Sequence, residues 1–321
     1  MSQERFRTFA WTTLALIFAV IVWGAYVRAS GSGAGCGSHW PTCNGEILPR
    51  PRSIETVVEF THRVTSGLSG VLVLIELVWA FLVLPRRHPA RAGAVAAMVF
   101  MLSEGAVGAA LVLLEHVAGD RSVARAVWTS LHLSNTFFLV AALTATAYWA
   151  SAGPTARPVM MGGDPPNPPA LPRLAGQGLA GTLLLIGAMG LLLTGVSGAI
   201  TALGDTLFTA TSLARGIADD FSPTAHFLQQ LRVLHPIMAT STAVFLLYAR
   251  GPIAAGRGAD AAHFSRLLAG LIVAQILMGV VNFALSAPIA MQLVHLFLAD
   301  LVWVVFVLLG AAALGRRAEP R

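Results

Sequence analysis

Eight long apolar runs divide this chain, and they constrain its fold more than any other feature of the sequence. Their approximate bounds are residues 9–27, 62–84, 92–114, 127–150, 179–202, 228–249, 267–287 and 289–314. A helix that spans a bilayer needs about 20 mostly apolar residues. The sequence therefore predicts an all-α membrane protein with eight transmembrane helices.

Composition agrees with membrane insertion and excludes several other classes of protein. Hydrophobic residues make up 56% of the chain and charged residues only 11%, against about 25% charged residues in soluble proteins. The formal charge of +6 does not predict a nucleic-acid partner, because all the basic residues are Arg and most stand at the ends of apolar runs. A disordered chain and a coiled coil are excluded as well.

The distribution of Arg predicts the orientation in the membrane. With the N-terminus inside, the inner segments carry thirteen Arg and four acidic residues, whereas the outer segments carry eight of each. Because cytoplasmic loops hold an excess of positive charge, both termini are expected in the cytoplasm. The first run follows Arg5 and Arg7 and is long enough to be a retained helix instead of a cleaved signal peptide.

A Pro- and Gly-rich segment at residues 153–177 divides the runs into two sets of four. We interpret it as a cytoplasmic linker between an N-terminal four-helix bundle (1–152) and a C-terminal one (178–321). The halves repeat key residues at nearly constant offsets, as two copies of one unit related by a pseudo-twofold axis along the membrane normal would. The matched positions are Gly24 and Gly198, His62 and His235, Glu104 and Gln275, Gly108 and Gly279, and His132 and His295.

Four of the nine histidines fall near the starts of even-numbered runs, all of which lead from outside to inside. They are His62, His132, His235 and His295. A single intramembrane histidine could be a satisfied core residue, but four at one depth favour a functional site. Facing His pairs in helix bundles bind metals or haem, and one pair in each half suits the two axial positions of a haem better than a four-ligand zinc site.

The repeat breaks at one position beside the histidines. Glu59 stands three residues before His62, whereas Arg232 stands three residues before His235. A carboxylate at a haem edge can accept a proton or stabilise positive charge, and an Arg at the membrane surface can pair with a haem propionate. The two halves are therefore expected to differ in chemistry. The alternative for Glu59 is an acidic residue that the helix dipole favours at a helix N-terminus.

The two cysteines of the chain, Cys36 and Cys43, lie in the Gly-rich first outer loop. The outer side of a plasma membrane is oxidising, so a disulfide is expected. Its role is open between a structural crosslink and a redox relay. Glu76, Glu104 and Asp300 lie deeper in the membrane and receive no catalytic role.

Several motifs together resemble the bacterial haem A synthases. The resemblance spans all eight runs, and its strongest part is the Cys-x6-Cys loop followed by ExxHR. The motifs are GAYVRASGSGAGCGSHWPTCNG (24–45), EFTHR (59–63), and the dipeptides LH (131–132), LH (234–235) and VH (294–295). Some relatives carry a second cysteine pair in the third outer loop, which is absent from residues 203–225 here.

The resemblance implies oxidation of the C8 methyl of haem O to a formyl group through a hydroxymethyl intermediate, giving haem A for a terminal oxidase. It implies that Glu59, His62 and His132 form the catalytic site around haem O, while His235 and His295 bind a haem b. Arg28, Arg63 and Arg232 are candidates for contacts with haem propionates. The expected location is the bacterial plasma membrane, with the haem sites towards the outer leaflet.

The partners that this function implies are haem O, haem O synthase (protohaem farnesyltransferase), terminal oxidase assembly and membrane lipid, with a homo-oligomer left open. Two other functions stay as alternatives. A quinol-linked di-haem b electron-transfer protein would use the same four histidines but would not need Glu59 beside only one pair. A membrane thiol-disulfide oxidoreductase would use the cysteines but would not explain the histidines.

Overall fold

The computed structural model describes residues 2–50, 53–151 and 178–315. The expected linker at 153–177 lies outside these residues, as do the last six residues of the chain. Throughout the described ranges the regular structure is helical, with no β-strand and a single isolated bridge between Cys43 and Glu46. The prediction of an all-α protein is confirmed.

Ten α-helices are present in the described part of the chain, together with single 3₁₀ turns at residues 32–34 and 231–233. The helices are α1 (Gln3–Ala29), α2 (Ile54–Val83), α3 (Pro89–Leu113), α4 (Val123–Ser151), α5 (Gly178–Leu207), α6 (Leu213–Asp220), α7 (Phe227–Gln230), α8 (Leu234–Ala254), α9 (Ala259–Ala284) and α10 (Ile289–Leu314). Helices α7 and α8 run together through the second 3₁₀ turn as one span of residues 227–254.

Eight of the described helical segments are long and apolar enough to cross a bilayer: α1 to α5, the joined α7 and α8, α9, and α10. The predicted number of transmembrane helices is confirmed, and the chain is a multi-pass membrane protein. Short α6 lies between α5 and α7 and has no counterpart among the predicted runs.

Helix α2 begins at Ile54, eight residues before the apolar run that predicted it. The Oγ of Ser53 caps its N-terminus by accepting from the backbone N–H of Thr56 at 3.4 Å, as a helix N-cap does. Polar residues occupy the first turns, so hydropathy alone places the start too late. The earlier start puts Glu59 and His62 on one helix at an i, i+3 spacing, which brings them to the same face.

The helices pack as two rings of four that share one interface. In the first ring each of α1 to α4 contacts its neighbours, with α1 against α4, and α5, α8, α9 and α10 form the second ring in the same order. The rings meet where α1 and α4 pack against α5 and α10. Exchanging α1 with α5 and α4 with α10 leaves this set of contacts unchanged, as a pseudo-twofold arrangement requires.

Aromatic side chains lie at the interface between the two rings of helices. The centres of the aromatic rings of Phe137 on α4 and Trp303 on α10 lie 5.1 Å apart, and the indole N–H of Trp303 donates to the carbonyl of Phe137 at 2.8 Å. Both side chains belong to the largest hydrophobic core of the described residues. A hydrogen-bonded indole can be buried without the cost of an unpaired donor, so this contact fixes α10 against α4.

Candidate functional site

The four predicted histidines lie at similar distances from the first residues of their spans. His62 lies eight residues after Ile54, His132 nine after Val123, His235 eight after Phe227 and His295 six after Ile289. With a rise of 1.5 Å per residue, these positions are about 9 to 14 Å along each helix. The common depth inferred from the sequence therefore agrees with the helix bounds.

Each histidine packs against a glycine on the preceding membrane helix of its bundle. The spacing is measured from a Cβ placed on each glycine to Cε1 of the histidine. In the N-terminal half this distance is 2.8 Å from Gly24 to His62 and 3.8 Å from Gly108 to His132. In the C-terminal half it is 2.9 Å from Gly198 to His235 and 3.1 Å from Gly279 to His295. Gly24 and Gly198 leave no room for a side chain without movement of the imidazole. The glycines and the histidines that repeat across the two halves are thus neighbours in space.

The imidazoles of His235 and His295 are neighbours, with ring centres 6.3 Å apart and planes nearly perpendicular at 89°. Two imidazoles that share one metal have bonds of about 2.0 Å each, and about 1.1 Å separates each nitrogen from its ring centre, which gives about 6 Å in all. The ring separation therefore fits a pair of axial haem ligands.

The C-terminal pair has neutral polar neighbours. The Oγ of Ser197 lies 3.2 Å from Nδ1 of His235, and Nε2 of Gln275 lies 3.3 Å from Nε2 of His295. Among the described residues, no protein group hydrogen-bonds to Nδ1 of His295. The pair is therefore held by uncharged contacts.

The N-terminal pair has an acidic neighbour that sequence reasoning left without a role. Oε1 of Glu104 lies 3.4 Å from Nδ1 of His132, a distance typical of an ion pair, although the geometry is not that of a hydrogen bond. Asn135 and Thr136 each donate to the Glu104 carboxylate at 2.5 Å. The signal was present in the repeat, since Glu104 precedes Gly108 by the same four residues that separate Gln275 from Gly279.

Glu59 joins the helix that bears His62 to the first outer loop. Its Oε2 accepts from the backbone N–H of Cys36 at 2.8 Å, and its Oε1 pairs with Arg63. Only 3% of Glu59 is exposed, so these protein groups, instead of water, satisfy the carboxylate. Glu59 lies beyond the first turn of α2, where Glu55 is the acidic residue, so the helix N-terminus does not explain its position.

The first outer loop is closed by the predicted disulfide between Cys36 and Cys43, which is confirmed. Both cysteines are fully buried. Arg63 on α2 binds the same loop, because its Nη1 donates to the carbonyls of His39 and Thr42 at 2.5 and 2.7 Å. The loop is therefore fixed to α2 by hydrogen bonds as well as by its crosslink.

The other two arginines expected near propionates also have protein partners. Arg28 reaches from α1 to the carbonyl of Ala202 at 2.7 Å, to Thr206 at 2.8 Å and to Gln292 at 3.1 Å. These partners lie on α5 and α10, so Arg28 connects the two rings. Contact of Arg28 or Arg63 with a haem propionate stays a prediction. Such a contact requires guanidinium N–H groups that already donate to protein oxygens to bind the propionate as well.

Arg232 lies among acidic groups and carbonyls. It pairs with Asp205 at 3.2 Å and Asp220 at 3.4 Å, and it donates to the carbonyls of Gly204 and Phe208 at 2.8 Å. Burial raises the pKa of the Asp220 carboxyl at the end of α6, and the Arg232 guanidinium opposes that rise. Propionate binding by Arg232 likewise stays a prediction.

Glu76 and Asp300 are buried and make no hydrogen bond or ion pair to the four histidines among the described residues. Glu76 is 1% exposed and Asp300 3% exposed. Both carboxyl oxygens of Glu76 and Oδ2 of Asp300 lack a hydrogen-bond partner among the described residues. No contact connects either group to the site, so neither receives a role in it.

Comparison with known proteins identifies the family. A family model described as COX15-CtaA, cytochrome oxidase assembly protein, matches residues 7–307. The chain is 46% identical over 317 residues, or 98% of its length, to a Thermus thermophilus protein named Protoheme IX farnesyltransferase, of which the match covers 50%. The chain thus spans half the length of that relative.

Two further relatives are named Heme A synthase. The protein of Alkalihalophilus pseudofirmus is 36% identical over 111 residues, which are 35% of this chain and 37% of the relative. The protein of Geobacillus kaustophilus is 42% identical over 102 residues, 32% of either chain. Because the family model covers nearly the whole sequence, the chain belongs to the COX15-CtaA family of cytochrome oxidase assembly proteins.

Proposed function

We propose that this protein is a haem A synthase, which oxidises the C8 methyl of haem O to a formyl group through a hydroxymethyl intermediate. The observation that carries the proposal is that four histidines lie at equivalent positions in two like bundles, only one of which has carboxylates close to its histidines. Glu59 is one turn from His62 and Glu104 is 3.4 Å from His132. A protein that only conducts electrons through two haems does not need this difference.

Each half then has its own haem. His62 and His132, in the N-terminal bundle of residues 1–152, bind the substrate haem O. His235 and His295, in the C-terminal bundle of residues 178–321, bind a resident haem b that supplies one-electron redox chemistry. Support for this division comes from the neutral neighbours of the C-terminal pair and from its ring separation of 6.3 Å.

The residues around His62 provide a site for charge and proton handling. With dioxygen as the oxidant, one methyl group and one dioxygen give one formyl group and one water, so protons must leave the carbon that is oxidised. Glu59 is a carboxylate positioned to accept such a proton or to stabilise developing positive charge. Its bonds to Arg63 and to the Cys36 amide hold it in place.

The membrane setting and partners follow from the same function. We place both termini in the cytoplasm and the histidines towards the outer leaflet of the bacterial plasma membrane, as the excess of Arg in the inner segments indicates. Haem O synthase would supply the substrate, and a terminal oxidase under assembly would receive the product. The Thermus relative, whose name is that of a haem O synthase, supports the first of these partners.

The test is chromatography and mass measurement of extracted haem after co-expression with a source of haem O. The wild-type protein should yield haem A, and His62→Ala and His132→Ala should abolish it while keeping low-spin haem b on the other half. His235→Ala and His295→Ala are the matched variants and should lose haem b. Haem A formation by His62→Ala, with haem b lost, would reverse the pairing; haem b without haem A in the wild type would favour an electron-transfer protein.

A further inference from the structure

Glu104 and Gln275 hold equivalent places in the two bundles but differ in charge. Glu104 lies on α3 and Gln275 on α9, each four residues before the glycine that faces a histidine of the next helix. Each also reaches that histidine, since Glu104 is 3.4 Å from His132 and Gln275 is 3.3 Å from His295. The second histidine of each proposed ligand pair is therefore contacted by a carboxyl group in one half and by an amide in the other.

The contacts of Glu104 fix its carboxylate in place. Thr136 donates to its Oε1 and Asn135 donates to its Oε2. Asn135 is itself held, because it donates to the carbonyl of Phe100 at 2.8 Å and accepts from Ser103 at 2.6 Å.

The contacts of Gln275 differ in kind. Its Nε2 lies 3.3 Å from Nε2 of His295, whereas Glu104 approaches Nδ1 of His132, and the Oε1 of Gln275 has no hydrogen-bond partner among the described residues. A neutral amide can donate to the ring or move aside from it, but it brings no charge to the pair. The surroundings of His295 therefore lack the negative charge that Glu104 brings to His132.

We infer that Glu104 is a positioning residue that orients His132 through Nδ1 and lowers the reduction potential of the haem iron bound to His132. A carboxylate behind a ligating imidazole fixes its orientation and increases its basicity, and negative charge near the iron stabilises the ferric over the ferrous state. Gln275 leaves the haem on His295 at a higher potential. The difference favours movement of an electron from the first haem to the second.

The inference rests on the proposed placement of haem on His132, and reciprocal substitutions test it by redox titration of the haem-loaded protein. Glu104→Gln keeps the shape of the side chain and removes its charge. At a fixed ambient potential it should raise the ferrous-to-ferric ratio of the N-terminal haem about tenfold, a shift of about 59 mV for one electron. The C-terminal haem should not shift, and His132→Ala identifies which titration component is N-terminal.

Two further variants separate charge from packing. Gln275→Glu should lower the ferrous-to-ferric ratio of the C-terminal haem by a similar factor. Glu104→Asp retains the carboxylate and should stay nearer to wild type than Glu104→Gln does. Glu104→Gln could disturb the fold and release haem from both halves. In that case the redox titration of Gln275→Glu tests the effect of charge, because that substitution does not touch the N-terminal pair.

The results distinguish this inference from the proposed function. An unshifted N-terminal potential in a fully loaded Glu104→Gln protein, or an unshifted C-terminal potential in Gln275→Glu, would overturn the role of charge. A shift as expected in a protein that makes no haem A would leave the inference standing and refute the synthase function. A wild-type protein with no haem on His132 would refute both.

Discussion

The backbone N–H of Cys36 donates a hydrogen bond to Oε2 of Glu59 at 2.8 Å. This contact links the disulfide loop directly to the carboxylate that stands one turn from His62. Arg63 strengthens the link, since it pairs with Glu59 and also binds two carbonyls of the loop. The position of the loop and the position of the carboxylate therefore depend on each other.

Glu59→Gln should leave haem O bound on His62 and His132 while its conversion slows about 100-fold or more, which is the usual magnitude for loss of a general acid or base. The amide keeps the size of the side chain and can still accept from the Cys36 N–H. Haem O and haem A content in extracts measures the effect. Glu55→Gln, in the first turn of the same helix, is the control and should convert normally; normal conversion by Glu59→Gln would remove its catalytic role.

Replacing Cys36 and Cys43 with Ser should reduce turnover but preserve folding and haem b. The closed loop is short, so its crosslink contributes at most about 3 kcal/mol, and the bonds from Arg63 and Glu59 still hold the loop. Haem b absorbance and the rate of haem A formation report the two effects separately. Turnover equal to wild type would argue against a redox role, and loss of folded protein would favour a structural one.

Gly198→Ala should displace the His235 ring, because the new methyl would lie 2.9 Å from its Cε1. We expect weakened haem b binding, seen as lower haem b content per protein, with the N-terminal pair unaffected. Gly24→Ala should instead displace the His62 ring and weaken haem binding in the N-terminal bundle, while haem b binding in the C-terminal bundle is unaffected. Gly270→Ala is the matched control on α9, since nothing lies within 4 Å of its added Cβ; if Gly198→Ala kept full haem b, the close packing would have no bearing on the site.

Arg28→Met should loosen the contact between the two rings. Its guanidinium donates to Ala202, Thr206 and Gln292 across the interface, and hydrogen bonds to a charged group contribute about 1.5–3 kcal/mol each. Thermal release of haem b from the purified protein should occur at a lower temperature. Arg50→Met, at an exposed site in the outer loop, should not change the release temperature; an equal effect of both would contradict the role of Arg28.

Hydropathy was sufficient to predict the number of spanning helices, because lipid selects for long apolar runs whatever their tertiary contacts. It failed at the start of α2, where Ser53 begins the helix among polar residues. The four histidines could be picked out because an ionisable side chain in an apolar run is costly and rare. The same repeat matched the glycines of the two halves by position, but it did not show that they pack against the histidines.

The sequence by itself therefore determined the membrane class, the eight spans, the two matched sets of helices and the histidine positions, all of which depend on local composition and spacing. Only the tertiary structure decided which groups meet across helices. It brought Glu59 to Cys36, Glu104 to His132 and Arg28 to α5 and α10. These contacts join residues 23 to 264 positions apart, and they arise from helix rotation and bundle packing, which hydrophobic periodicity specifies weakly when most of the helix surface is apolar.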